Sequence, residues 1–365
     1  MPSPVTRRNI FRIIPFGIIW LLFSIVYTLL EKGILADLHY YPATGNPYNF
    51  RQNIFITPAA ALITGLLMGL IEIFYLNKWF IQKSFTRKII YKSLIYLFII
   101  VAFNIFLSAV TNAAELHKGF FTEAVWKNVL AFVTDYSFVS VTVYISSGIL
   151  VTQFYNEVSD NMGQEVLQNF FTGKYHKATE EERIFMFLDM KSSTTIAEKL
   201  GHVKYFGLLQ EYYADLSIPV IKHAGEIYQY VGDEIIVSWK LKNGLQDTNC
   251  IRCFYAIKEA IKKQSEKYKN RFDVLPEFKA GFHCGRVTTG EIGILKKEII
   301  FTGDVLNTTA RIQGLCNQHN VPVLISSELI SHFNTGVKFN FKSLGQSELR
   351  GRGEKIGLFT IIDNS

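Results

Sequence analysis

The sequence predicts a four-helix membrane region followed by an α+β domain built on a mixed sheet. Three observations predict it. The long apolar runs lie before about residue 155. Beyond that point short strand-like runs alternate with amphipathic helical ones. Within that alternation a tight hairpin near Asp233 interrupts the strand–helix rhythm, which favours a mixed sheet over a doubly wound parallel one. A chain of 365 residues has room for both units. Its hydrophobic share of 49% is high beside 19% charged residues, and the first half supplies the excess.

Residues 10–30, 55–76, 89–110 and 129–153 are each apolar enough to span a bilayer, which takes about 20 residues. The first run is too long for a cleavable signal peptide and lacks a small-residue cleavage site. Arg7, Arg8 and Arg12 flank it, and Lys78, Lys83, Arg87 and Lys88 fill the second loop without an acidic residue. The other loops mix signs, with Glu31, Lys32, Asp37 and Arg51 in one and Glu115, Lys118 and Glu123 in the other. The positive-inside rule therefore places the N-terminus, the second loop and everything after the fourth span in the cytoplasm. The expected location is the inner or plasma membrane, with lipid as a partner. These flanking basic residues also account for the net charge of +7 without a nucleic-acid polymer.

Glu72, Asn104 and Asp135 fall in or near the spans. An acidic side chain at mid-membrane costs about 3 kcal/mol on insertion scales. For Glu72 a helix-end position reaching the inner interface is favoured over a sensing or ion-binding site facing the bundle. For Asp135 a helix-end position and a site facing the bundle both stand open. The loop 38–53 is too short for a sensor domain, so any signal is expected to be read within the bundle or at its surface.

The chain divides into a membrane domain at 1–153, a connector at 154–182 and a cytosolic domain at 183–365. In the connector Val158, Met162, Val166 and Phe170 recur at helical spacing. That narrow stripe suits a two-helix seam or a face docked on the cytosolic domain. Next come a strand at 183–190, helices over 195–223, a strand–turn–strand at 226–239 and a helix at 248–269. A long strand at 277–292, a strand at 298–302, a helix at 305–319, a strand at 322–326 and a terminal strand complete the domain. Cys250, Cys253, Cys284 and Cys316 all lie here. Without a partner pair or histidine cluster they read as reduced thiols, not as zinc or disulfide sites.

Asp189 in FMFLDMKSSTT and Asp233 in IYQYVGDEIIVSW each close a strand-forming run. Two carboxylates on adjacent strands suit a hard divalent cation, which takes one or two carboxylates plus substrate phosphates. Taken singly, each is equally a turn residue, since Gly232-Asp233 is a common turn pair. Ser192, Ser193 and Thr194 are suited to cap the helix after Asp189, whose N-terminal N–H groups then face a phosphate. Downstream, Asn307 and Arg311 are four apart and share a helix face. An amide beside a forked guanidinium makes a sugar-and-phosphate contact pair. Arg350 and Arg352 sit on a glycine-flanked turn, suited either to a solvated hairpin or to a triphosphate clamp.

From 183 to the C-terminus these motifs resemble the class III nucleotidyl cyclases. FLDMKSSTTIAEKL and YQYVGDEIIVSW are similar to the two metal-aspartate segments, AGFHCGRVTTGEIG to the Gly-x-His-x-Gly strand, and FTGDVLNTTARIQ to the asparagine–arginine helix. The resemblance implies a ferredoxin-like βαββαβ core, with a mixed or antiparallel sheet and flanking helices. It implies that Asp189, Asp233 and the Met190 backbone carbonyl hold two Mg²⁺ or Mn²⁺ ions per active site. It further implies that Ser193 and Thr194 meet the phosphates, Asn307 orients the ribose and Arg311 stabilises the α-phosphate. Arg350 stands where the family often has a triphosphate lysine. The implied enzyme is an adenylate cyclase, a phosphorus–oxygen lyase acting at a homodimer interface in signal transduction.

The chain departs from the family at the base-reading positions. Gln229 stands four before Asp233 where a lysine is usual, and Ile300 seven before Asn307 where an aspartate or threonine is usual. Gln can bond a purine edge and Ile cannot. ATP is the expected substrate, because the glutamate–cysteine pair of guanylate-specific members is also missing; GTP, and so a guanylate cyclase, is the alternative. A membrane receptor with a degenerate nucleotide-binding domain is a second alternative. A GGDEF-type enzyme would need a further glycine and would leave Asn307 and Arg311 unexplained. A transporter has only Glu72 and Asp135 to support it.

Overall fold

The computed structural model describes residues 3–42, 45, 47–80, 83–333, 339–349 and 355–362. The chain forms two compact units, Thr6–Phe171 and Thr172–Ser365 with Met1–Val5.

Among the described residues of the first unit, four helices are long and apolar enough to cross a membrane. They are α1 (Pro4–Leu35), α2 (Phe50–Ile71, carried on to Trp79 through a π-helical turn at Glu72–Leu76), α3 (Phe85–Glu115) and α5 (Tyr136–Met162). Phe16, Met68, Tyr96, Ile100 and Ile149 form the contact between them. The fourth apolar run is not one helix. It breaks at Asp135, between α4 (Glu123–Thr134) and α5, and the span begins at Tyr136, not at 129. The Asp135 carboxylate accepts a hydrogen bond from the Ser137 N–H at 2.7 Å. It caps a helix, which decides between the two expectations for it. Asn104 donates to the Ile100 carbonyl of its own helix, at 2.9 Å.

The expectation for Glu72 was wrong. Its side chain is fully buried. It accepts from Lys92 at 2.6 Å, from the Tyr96 hydroxyl at 3.0 Å and from Asn156 at 3.2 Å. Two other helices, α3 and α5, supply these donors, so the carboxylate stays inside the bundle instead of reaching outward. The connector stripe is also interrupted. α5 ends at Met162, Gly163 follows at φ +87°, and α6 (Gln164–Thr172) starts afresh.

The second unit is an eight-stranded mixed sheet in the order β2-β3-β1-β4-β6-β8-β7, with β5 paired to β4. Its first half runs β1 (Thr179–Met190), α7 (Ser193–Leu200), α8 (His202–Lys222), β2 (Glu226–Val231), β3 (Glu234–Lys240), α9 (Asn249–Lys263), α10 (Ser265–Phe272) and β4 (Phe278–Ile292). The spatial order 2-3-1-4, antiparallel throughout, is the ferredoxin-like core. There follow β5 (Glu298–Thr302), α11 (Asp304–Gly314), β6 (Val323–Ser326), α12 (Ser327–Ser331), β7 (Asn340–Glu348) and β8 (Lys355–Ile362). Only β6 runs parallel to its neighbour β4 among the described strand pairs.

Alternation along β1 sets the layers. Ile184, Met186 and Leu188 pack with Leu208, Tyr212 and Leu216 of α8 and with Ile251, Phe254 and Ile257 of α9. Phe185 and Phe187 face the other way and meet Val305 of α11. The strand is therefore apolar on both sides, and Asp189, next in the second series, must lie on the α11 side. All four cysteines are free and buried. Burial pushes the Cys250, Cys284 and Cys316 thiols up to about 12, which leaves them inert at neutral pH.

Candidate active site

Two apolar strands deliver the acidic groups. Asp189 is the penultimate residue of β1 and lies opposite Glu234 on β3 and Lys279 on β4. Asp233 occupies the turn between β2 and β3, where Gly232 at φ +64° makes the tight reversal that a side chain would strain. The Tyr213 hydroxyl of α8 donates to the Gly232 carbonyl at 2.7 Å and pins the turn from outside.

The carboxylates converge. Burial, and then Asp233 beside it, raise the pKa of Asp189, while Lys279 opposes the shift from 3.3 Å. Burial and the same two aspartates push Glu234 up to about 7. Gln313 of α11 donates to Asp189 Oδ2 at 3.1 Å. Asp233 Oδ2 is buried and accepts nothing from the described residues. Paired like charges with an orphaned acceptor are what a hard divalent cation resolves, so the residues present fit such an ion. Among the described residues no three His, Cys, Asp or Glu side chains group to hold a metal. Two carboxylates would therefore need backbone oxygens and phosphates to complete a shell; the Met190 residue following Asp189 lies at the end of the same strand.

The helix after Asp189 departs from the expected capping. Ser192 adopts φ +55° and its side chain makes no cap hydrogen bond, so the α7 N–H groups lack a side-chain cap. Ser193 opens that helix, with Thr194 exposed behind it.

α11 carries groups on two opposed faces. Val305, Thr308, Thr309, Ile312 and Gln313 are buried, while Asn307 is exposed and Arg311 half-buried. Each residue turns an α-helix by about 100°, so Gln313 lies about 200° from Arg311. The side chain that reaches Asp189 thus points nearly opposite to Arg311 and about 120° away from Asn307. Within one chain the structure does not bring the aspartates and Arg311 together. Gln229, exposed on β2, lies opposite Ile236, whereas Ile300 on β5 lies opposite Gly290. Phe301, next to Ile300, packs on Tyr228, next to Gln229, with ring centroids 4.8 Å apart. Arg350 lies outside the described residues.

The motif reading missed Gln313, Lys279, Glu234 and Tyr213. Gln313 had a signal, because it falls on the same helix face as Val305, Thr309 and Ile312. Lys279 and Tyr213 had none, since only strand register and helix placement bring them to the aspartates.

A sequence profile for the adenylate and guanylate cyclase catalytic domain matches residues 175–362. Two relatives come from Rhizobium meliloti (strain 1021). The chain is 34% identical over 212 residues to adenylate cyclase 2, covering 58% of each, and 28% identical over 193 residues to adenylate cyclase 1, covering 51% of this chain and 28% of that one. It thus spans less than two thirds of either relative. A solved structure of a bacterial light-regulated adenylyl cyclase superimposes with a TM-score of 0.51 at 19% identity, covering 61% of this chain and 64% of that one.

Proposed function

Because this chain belongs to the adenylate and guanylate cyclase catalytic-domain family, we propose that it is a membrane-anchored cyclase, turning ATP into 3′,5′-cyclic AMP and pyrophosphate. Two copies of the chain share each active site, and the catalytic unit lies on the cytoplasmic side of the inner or plasma membrane. One observation carries the shared site: α11 turns Gln313 toward Asp189 and turns Asn307 and Arg311 away from it. A second copy is the source of the missing half, and two-fold symmetry then makes two equal sites.

In the reaction the ribose 3′-hydroxyl releases its proton to solvent as its oxygen attacks the α-phosphorus, the bond from that phosphorus to the oxygen bridging to the β-phosphate breaks, and pyrophosphate leaves with the electron pair. Asp189, Asp233 and the Met190 carbonyl would hold two Mg²⁺ or Mn²⁺ ions, which supply Lewis-acid stabilisation of the attacking and leaving oxygens. Asn307 orients the ribose. The Arg311 guanidinium faces the crowded α-phosphoryl group and offsets its growing charge. Ser193 and Thr194 at the α7 N-terminus, and Arg350, meet the phosphates. Gln229 bonds the purine edge, and Ile300 offers only apolar contact. The activity named for the two relatives supports ATP over GTP.

The test incubates the purified full-length protein with ATP or GTP and Mg²⁺ or Mn²⁺. Cyclic AMP is the expected product. Equal or greater cyclic GMP overturns the substrate, and no product with either nucleotide favours the degenerate-receptor reading. Mixing inactive Asp189→Ala and Arg311→Ala chains should restore partial activity, since one of the two heterodimer sites keeps every group. If the mixed dimer forms and stays inactive, the shared site is wrong.

A further inference from the structure

Gln313 is a polar residue in a core position. It lies on the buried side of α11 with Val305, Thr309 and Ile312 and is only 6% exposed. A leucine there would simply add to the core, whereas an amide taken out of water costs free energy unless it finds a partner. The backbone beneath is shaped to let it reach one. Gly281 of β4 leaves room for α11, since a Cβ there would fall 2.4 Å from the Gln313 backbone nitrogen. Across β1 and β4, Gly281 pairs with Phe187 and Lys279 pairs with Asp189. The bare strand position and the acidic site are therefore two residues apart on one face of the sheet. Gln313 Nε2 spans that gap and donates to Asp189 Oδ2 at 3.1 Å. Lys279 Nζ meets the same oxygen from 3.3 Å.

We propose that Gln313 is a positioning residue for Asp189, holding one carboxylate oxygen with Lys279 so that the other is presented to a divalent cation. The proposal rests on the shared-site reading given above. The terminal torsion of an aspartate is broad when nothing holds it, and two donors on one oxygen remove that freedom. Lys279 alone is a flexible point charge. The amide adds direction, because its helix backbone is seated directly on β4. Partners that orient a metal-ligating side chain set about 10–100-fold in metal affinity. The same helix then serves two sites. Gln313 orients the aspartate of its own chain, while Arg311, two residues earlier and pointing nearly opposite, supplies the site completed by the second copy. An amide that merely filled the core would show no preference between those two sites.

The test uses full-length mixed dimers with one live site, made by co-expressing an Arg311→Ala chain, which keeps Asp189, with an Asp189→Ala chain, which keeps Arg311. Gln313→Met preserves side-chain length and removes the donor. Placed on the chain that keeps Asp189, it should raise the free Mn²⁺ needed for half-maximal rate about tenfold. Placed on the other chain, it should leave that Mn²⁺ requirement where it was. An equal rise in both arms makes Gln313 a packing residue of α11 and overturns the proposal, and any loss of folding would strike both arms alike. A second readout needs no turnover. Mn²⁺ is titrated into the inactive Arg311→Ala protein with ATP and followed by electron paramagnetic resonance, against the same solution without protein. Adding Gln313→Met should weaken Mn²⁺ binding about tenfold, and unchanged binding overturns the proposal. Inactivity of the starting mixed dimer refutes the shared site instead, while the resonance titration still decides Gln313.

Discussion

Gly281→Ala tests whether the close seat of α11 on β4 governs catalysis. A Cβ built at Gly281 falls 2.4 Å from the Gln313 backbone nitrogen and 2.7 Å from its Cα. These atoms belong to the helix backbone, so no rotamer relieves the contact. Ordinary contact begins at 3.4 Å, and 3.4 minus 2.4 requires α11 to rise by 1.0 Å. Overpacking of this kind costs about 1–3 kcal/mol. The helix also carries Asn307 and Arg311, and a misplacement of about 1 Å can cost about 100-fold in rate. The variant should fold, melt a few degrees lower and lose about two orders of magnitude in cyclic AMP formation. Gly314→Ala is the control, because nothing lies within 4 Å of its added Cβ. Thermal melting and initial rates on the three proteins decide the matter. A Gly281→Ala enzyme with unchanged rate would refute the link between helix seat and catalysis.

Further outcomes follow from buried charge. Lys92→Met strips the shared cation from two buried carboxylates and should destabilise the membrane unit by about 3–5 kcal/mol; adding Glu72→Gln and Glu157→Gln should recover most of it, as read by chemical denaturation in detergent. His223 supplies a pH dependence. Burial, and then Arg252 and Lys222, depress its pKa in the folded state, so below about pH 6.5 the unfolded chain binds the proton more readily. Its contribution to stability is present above that pH and is lost as pH falls through the folded value. His223→Gln should flatten this acid limb in melting curves taken across pH 5–8 (roughly the histidine range), and an unchanged limb would exclude His223.

Local pattern determined much of this protein. Apolar runs of spanning length marked the membrane helices, because a bilayer demands about 20 apolar residues whatever the neighbours do. Strand-like runs ending at Asp189 and Asp233 marked the two acidic groups, and the four-residue spacing of Asn307 and Arg311 put them on one face, since both periods are properties of the backbone. The start of the fourth span was missed, because its hydropathy continues across the break that the Asp135 cap imposes. Glu72 was misjudged, because its donors Lys92, Tyr96 and Asn156 stand 20, 24 and 84 residues away. The same limit hid Lys279 and Tyr213 from the acidic site. Only strand register and helix seating decide which distant groups compensate a carboxylate. They also decided that α11 shows Gln313 to Asp189 and turns Arg311 away.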